Sequence, residues 1–96
     1  MPYILAVSTL AAQPLNDFDV ACQIFTETQN TTLDKEQRSA YVENNMKNRV
    51  SDKYVLDTYS LVFHLEPAER YTAFKASAEE HTKSSWDCAA AKELLR

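Results

Sequence analysis

Glycine is absent from this chain of 96 residues, and proline occurs only three times. Tight β-hairpin turns need residues that accept a positive φ angle, which glycine does most readily. Glycine-rich phosphate loops are excluded as well, because the backbone approaches a phosphate closely only where no Cβ atom intervenes. The composition therefore disfavours β-sandwiches and barrels and excludes phosphate binding of that kind.

Caps and apolar spacing along the chain predict an all-α fold, a small bundle of four to five short helices. Asp34 is a natural N-cap, and Gln37, three residues later, completes a capping box. Pro67 suits the first turn of a helix, where its missing N–H costs nothing. The predicted helices begin near residues 17, 34, 52, 67 and 86, the first ending near Gln29 and the last near Leu95.

The third and the last of these segments carry expectations about packing. The third has apolar residues on several faces, including Leu56, Leu61 and Leu65, so we expect it to be the most buried helix. The last is expected to begin at Trp86, with one of the two preceding serines as its N-cap. The core is thus expected to lie around the third helix.

The first thirteen residues, MPYILAVSTLAAQ, carry no charged side chain. From Tyr3 to Ala12 they form an apolar run ending in small residues, as in the hydrophobic region and cleavage site of a secretory signal. The alternative is an apolar N-terminal arm, or a strand, packed on the domain. We therefore expect residues 1–12 to be a signal-peptide remnant or such an arm, residues 13–96 to be a single helical domain, and the protein to be periplasmic or secreted.

The chain has two cysteines, Cys22 and Cys88. Cys22 falls on the apolar stripe of the first helix and Cys88 lies near the start of the last, so both are expected to face the core. An even count, a signal-like start and a small domain predict a disulfide that joins the first helix to the last. The alternative is two buried free thiols, which pack as small hydrophobic groups.

Metal binding would draw on the two cysteines together with His64 and His81, the only histidines. The chain has no CxxC or HxxxH pair, so a tetrahedral site would need all four side chains to converge through tertiary structure. His81 continues an apolar stripe and His64 stands at a helix end, which favours structural roles for both. No metal and no cofactor is predicted, and His64 and His81 are the candidate ligands should a metal bind.

Catalysis by a cysteine nucleophile would pair Cys88 with His81, seven residues earlier in the chain. The TKSS segment between them is typical of a helix break, and Cys88 follows Asp87, whereas an activated thiol needs an electropositive setting. No catalytic residue is predicted.

Charge limits the classes of partner. The formal net charge is −4 and the ten lysines and arginines are scattered, so we expect no nucleic acid partner. No stretch approaches the roughly 20 apolar residues that a membrane-spanning helix needs. Arg38 and Arg70 follow helix starts in similar contexts, and each is expected to pair with a carboxylate at its own helix start.

The candidate partner-binding residues are Tyr41, Tyr59 and Trp86. Tyrosine has a large apolar body and a polar tip, which suits interfaces and small cores alike. Trp86 would shield the cystine if buried and anchor a partner if exposed. The leading hypothesis is a non-catalytic module that binds a protein, a second copy of itself included. The alternatives are a metal-binding or metal-responsive helical protein that uses His, Cys and Glu, and a Cys-dependent enzyme.

Overall fold

The computed structural model describes residues 16–96, which form five helices and, within that range, no strand. The predicted all-α bundle is confirmed. The signal remnant or arm expected at residues 1–12 lies outside the described residues. The helices are α1 (Asp17–Gln29), α2 (Lys35–Arg49), α3 (Lys53–Val62), α4 (Pro67–Thr82) and α5 (Ala89–Leu94).

Local capping explains why four of the helices begin where they do. The side chain of Asn16 accepts a backbone N–H of the first turn of α1 at 2.9 Å. At α2 both bonds of the predicted capping box form, between Asp34 and Gln37. Asp52 caps α3 by accepting a backbone N–H at 2.9 Å, and Pro67 occupies the first turn of α4. Each of these starts is therefore set by chemistry within one helical turn.

The helices pack as two hairpins with a short closing helix. α1 packs against α2 and against α5, while α3 packs against α4. At one end of the bundle the carboxylate of Asp17, at the start of α1, accepts the backbone N–H groups of Ser51 and Asp52 at 3.1 and 2.7 Å. This contact ties the start of α1 to the connection between α2 and α3.

The core is centred on α1, so the expectation that the third helix is the most buried is wrong. α3 packs mainly on one helix, whereas α1 packs on two, and Leu61 on α3 is 63% exposed. The cause is that α3 packs mainly on α4, which leaves the apolar residues of its other faces at the surface. α1 lies between α2 and α5 and has five side chains with no exposed area: Phe18, Ala21, Ile24, Phe25 and Thr28.

The disulfide between Cys22 on α1 and Cys88 at the start of α5 is confirmed. The two Cα atoms are 5.9 Å apart, and the bridge joins positions separated by 66 residues in the chain. Cys88 is buried, and Cys22 packs against the core at its edge. Through this bridge the first and last helices are held side by side.

The closing helix begins at Ala89, with Cys88 as its N-cap, and not at Trp86 as expected. Glu79 on α4 accepts the backbone N–H of Trp86 at 3.0 Å, and the Tyr71 hydroxyl accepts that of Cys88 at 3.2 Å. These side chains from α4 bind the segment in an extended form, as the φ and ψ angles of Cys88 show. Because of these tertiary hydrogen bonds, α5 begins about one turn later in the chain than the sequence predicted.

Removal of the bridge should lower the free energy of unfolding by roughly 4 kcal/mol, because the crosslink restricts the unfolded chain over a long loop. Denaturant unfolding of the Cys22→Ala/Cys88→Ala variant and of reduced wild-type protein measures this loss. Reduced wild-type protein keeps both sulfur atoms in the core and therefore separates the loss of the crosslink from the loss of packing. Equal stability of oxidised and reduced wild-type protein would contradict the prediction.

Candidate functional site

Exposed large apolar side chains are concentrated on α3 and the turn that follows it. Tyr54, Phe63 and Leu65 are 40 to 41% exposed, and Leu61 is 63% exposed. All four lie within thirteen consecutive positions, 53–65. Apolar side chains that are exposed close together mark contact sites more often than apolar residues scattered singly.

Three of these side chains, Tyr54, Leu61 and Leu65, border a groove between α3 and α4, here called the α3–α4 groove. Its volume is about 470 Å³, and α4 contributes the small residues Ala73 and Ser77 to its wall. Because these two side chains are short, the neighbouring helix leaves room for side chains of another molecule.

The α3–α4 groove has little net charge. Its one acidic lining residue, Asp57, forms an ion pair with Lys53 one turn earlier, with Nζ and Oδ2 2.7 Å apart. The other polar lining residues, Thr58 and Ser77, are uncharged. Thr58 donates its hydroxyl hydrogen to the Tyr54 carbonyl at 2.7 Å, so it is already satisfied.

Phe63 lines a second cavity, at the end of the bundle. Residues from all five helices or their ends meet there. This cavity, the end pocket, has a volume of about 460 Å³. It is lined by the cationic side chains Lys35, Arg38, Arg70 and Arg96, by the carboxylate of Glu93, and by apolar side chains that include Phe63 and Tyr59.

The arginines of the end pocket do not pair as expected. The structure shows no ion pair for Arg38 or Arg70 among residues 16–96. Arg70 instead donates to the carbonyls of Leu65 and Leu95, both at 3.3 Å, and its guanidinium lies 5.0 Å from the centre of the Phe63 ring. Both arginines therefore belong to the end pocket, which their sequence context did not indicate.

His81 contacts two neighbouring side chains. Its ring stacks on Tyr54, with ring centres 4.2 Å apart, and its Nε2 lies 2.8 Å from an oxygen of Asp52. The His81 hydrogen bond, with the backbone N–H of Tyr54, holds the pKa of Asp52 below its usual value. His64 is exposed in the turn after α3. Within residues 16–96 no group of three or more His, Cys, Asp or Glu side chains is arranged to hold a metal ion.

Trp86 is enclosed in the core and does not present its ring to a partner. It is 4% exposed, and its ring contacts those of Phe18, Tyr71 and Phe74 at centre distances of 5.5 to 6.3 Å. Its Nε1 atom is buried without a hydrogen-bond partner among the described residues. Trp86 was considered either as a buried side chain that shields the disulfide or as an exposed anchor for a partner, and the structure shows it buried.

The two candidate tyrosines are half-buried and have different surroundings. Tyr41 donates to Glu27 at 3.2 Å, and Arg49 binds the same carboxylate at 2.7 and 2.9 Å. The Arg49 guanidinium holds the pKa of Glu27 below its usual value. Tyr59 packs against the rings of Phe25 and Phe63 and lines the end pocket. Burial, with a smaller effect of the Glu43 charge, raises the pKa of Tyr59 to about 12.

Comparison with known proteins gives no match to a protein-family model, to a curated protein or to a solved structure. The functional argument therefore depends on the residues and contacts of this chain.

The Asp52→Asn substitution should reduce the sensitivity of the fold to acid. Because the folded pKa of Asp52 is lowered, its contribution to stability is present above its unfolded value, about pH 4, and is lost as the pH falls through the folded pKa. An asparagine still caps α3 but carries no charge. Unfolding free energies measured from about pH 5 down to about pH 2 should fall less steeply in the variant. Parallel curves for the two proteins would contradict the assignment.

Proposed function

We propose that this protein is a non-catalytic, exported helical module that binds a partner protein through the α3–α4 groove. The observation that carries the proposal is the concentration of exposed apolar side chains on α3 and in the turn that follows it, where Leu61 is the most exposed. Covering such side chains removes apolar area from water, which is the main favourable contribution to most protein associations.

The shape of the groove favours an amphipathic helix as the bound element of the partner. Two neighbouring helices form its walls, and an apolar helix face is the element that most often fills a groove of this kind. Leu61 and Leu65 stand on one wall, and the short side chains of Ala73 and Ser77 leave space on the other. The partner would thus insert apolar side chains over Ala73 and Ser77.

The charge of the groove favours a partner face without charge. Asp57 is already neutralised by Lys53, so a charged residue opposite it would lose water without gaining a free counter-ion. A second copy of the chain satisfies the same requirement.

Export is supported by the chemistry of the bridge and by the start of the sequence. Disulfides persist in oxidising compartments and are rare in the cytosol. The apolar run within the first thirteen residues resembles the hydrophobic region and cleavage site of a secretory signal. Among residues 16–96 no helix is long and apolar enough to cross a membrane.

Among residues 16–96, no contact supports the two alternative functions, a Cys-dependent enzyme and a metal-binding protein. A cysteine nucleophile requires a thiolate, and both sulfurs are held in the Cys22–Cys88 bridge. The Nε2 atom of His81 is already bonded to Asp52, so a metal ion at that nitrogen would have to replace this bond.

Photo-crosslinking in the native host tests the binding face. A photoreactive residue at position 61 should give discrete crosslinked products, whereas the same residue at Asn44, an exposed position on α2, should give none. A product of twice the chain mass would identify a second copy as the partner. Absence of products, or equal products at both positions, would contradict the proposal.

Leu65→Glu, added to the position-61 crosslinking variant, should abolish the products, because a charge on the groove wall must be desolvated on binding. Asn44→Glu, which adds the same charge away from the groove, should leave them unchanged. Both positions are exposed, so each substitution should change the unfolding free energy by no more than about 0.5 kcal/mol. Thermal unfolding checks that the variants are folded.

A further inference from the structure

The end pocket is lined by many of the cationic side chains of a chain whose net charge is negative. Of ten lysines and arginines in the chain, four line this cavity: Lys35, Arg38, Arg70 and Arg96. Glu93 is the one acidic residue of the lining. By contrast, three of the remaining cations are already paired with carboxylates on the surface. A cleft lined by one sign of charge raises the local concentration of ions of the opposite sign.

These cations are not neutralised within the part of the chain that the structure describes. None of the four forms an ion pair there. The Nε atom of Arg38 is buried without a hydrogen-bond partner among residues 16–96, a costly state for a donor on a charged group. A rotation of this guanidinium toward a bound carboxylate would satisfy Nε and one Nη atom together, in the paired geometry that arginine favours.

Arg70 provides a second donor in a fixed orientation. Its Nε and Nη1 atoms donate to the Leu65 and Leu95 carbonyls, and its Cζ atom lies over the Phe63 ring. These contacts leave its Nη2 atom without a protein partner among the described residues. A guanidinium positioned in advance loses less conformational entropy when it binds an anion.

The rest of the lining is apolar. Val42, Tyr59, Phe63 and Leu94 contribute to the wall beside the cations. Tyr59 is a neutral phenol at neutral pH and adds no competing negative charge. The cavity volume, about 460 Å³, lies in the range of small-molecule sites. Inorganic anions would leave this apolar wall uncovered.

We infer that the end pocket binds a small organic acid, a carboxylate carried on an aromatic or aliphatic body, with Arg38 and Arg70 on the carboxylate and Val42, Tyr59 and Leu94 on the body. The site is independent of the α3–α4 groove, since the two cavities share no lining residue. It also requires no reaction: the pocket binds and releases its ligand unchanged.

Calorimetric titration of the full chain with 2-naphthoate tests the inference. Binding should be saturable, should weaken with salt and should exceed that of 2-naphthylmethanol, which has the same body without charge. Inorganic phosphate, which has charge without the body, should also bind more weakly. Equal binding of the neutral alcohol, equal binding of phosphate, or no binding of 2-naphthoate would each overturn the inference.

Arg38→Gln should weaken the binding of 2-naphthoate about tenfold, the effect expected for loss of a charge-assisted contact. Lys47→Gln is the matched control, because it removes the same charge from α2 at an exposed position outside the pocket lining. It should leave the affinity at the wild-type value. Equal effects of the two substitutions would show a general charge effect and overturn the assignment.

An NMR titration of the wild-type protein tests the same contact if the Arg38→Gln variant does not fold. The NMR resonance of the Arg38 Nε–H should shift during titration with 2-naphthoate, and it should not shift with 2-naphthylmethanol. Leu61→Glu, in the α3–α4 groove, should leave 2-naphthoate binding unchanged, so the two sites can fail separately. An unshifted Arg38 resonance at saturation would place the ligand elsewhere and overturn the inference.

Discussion

The Cys22–Cys88 disulfide holds in place a helix that is too short to persist alone. α5 has six residues, whereas isolated helices shorter than about 12 to 15 residues are marginal in water. Side chains of α4 support the same connection: Glu79 binds the backbone of Trp86, and Tyr71 binds that of Cys88. The bridge and these hydrogen bonds act on adjacent residues. The placement of α5 therefore depends on tertiary contacts much more than on its own helical propensity.

Both proposed surfaces, the α3–α4 groove and the end pocket, result from the packing of the helices: α1 packs against α2 and α5, whereas α3 packs mainly on α4. α1 lies between α2 and α5, so its apolar side chains are covered, while α3 packs mainly on α4 and keeps apolar area exposed. The end of α5 contributes Glu93 and Leu94 to the end pocket, so the position of that wall depends on the bridge. The α3–α4 groove has no lining residue from α5. Reduction of the bridge should thus disturb the two surfaces unequally.

The sequence predicted what depends on neighbouring residues and on the pairing of two cysteines. The caps at Asp34 and Asp52 and the start at Pro67 are local, and two cysteines allow one intramolecular pairing. The burial of α3 could not be read from its apolar residues, since covering them requires neighbours that only the tertiary arrangement supplies. The start of α5 and the grouping of Arg38 with Arg70 were missed for the same reason. In each case, contacts with residues seven or more positions away in the chain decide the outcome.

Differential alkylation of protein isolated from its native host tests the bridge most directly. The protein is denatured in iodoacetamide with and without prior reduction, and its intact mass is measured. A native disulfide predicts no alkylated cysteine without reductant and two after reduction, at Cys22 and Cys88. Alkylation of both cysteines in the unreduced sample would show free thiols in the native protein and contradict the central role assigned to the bridge.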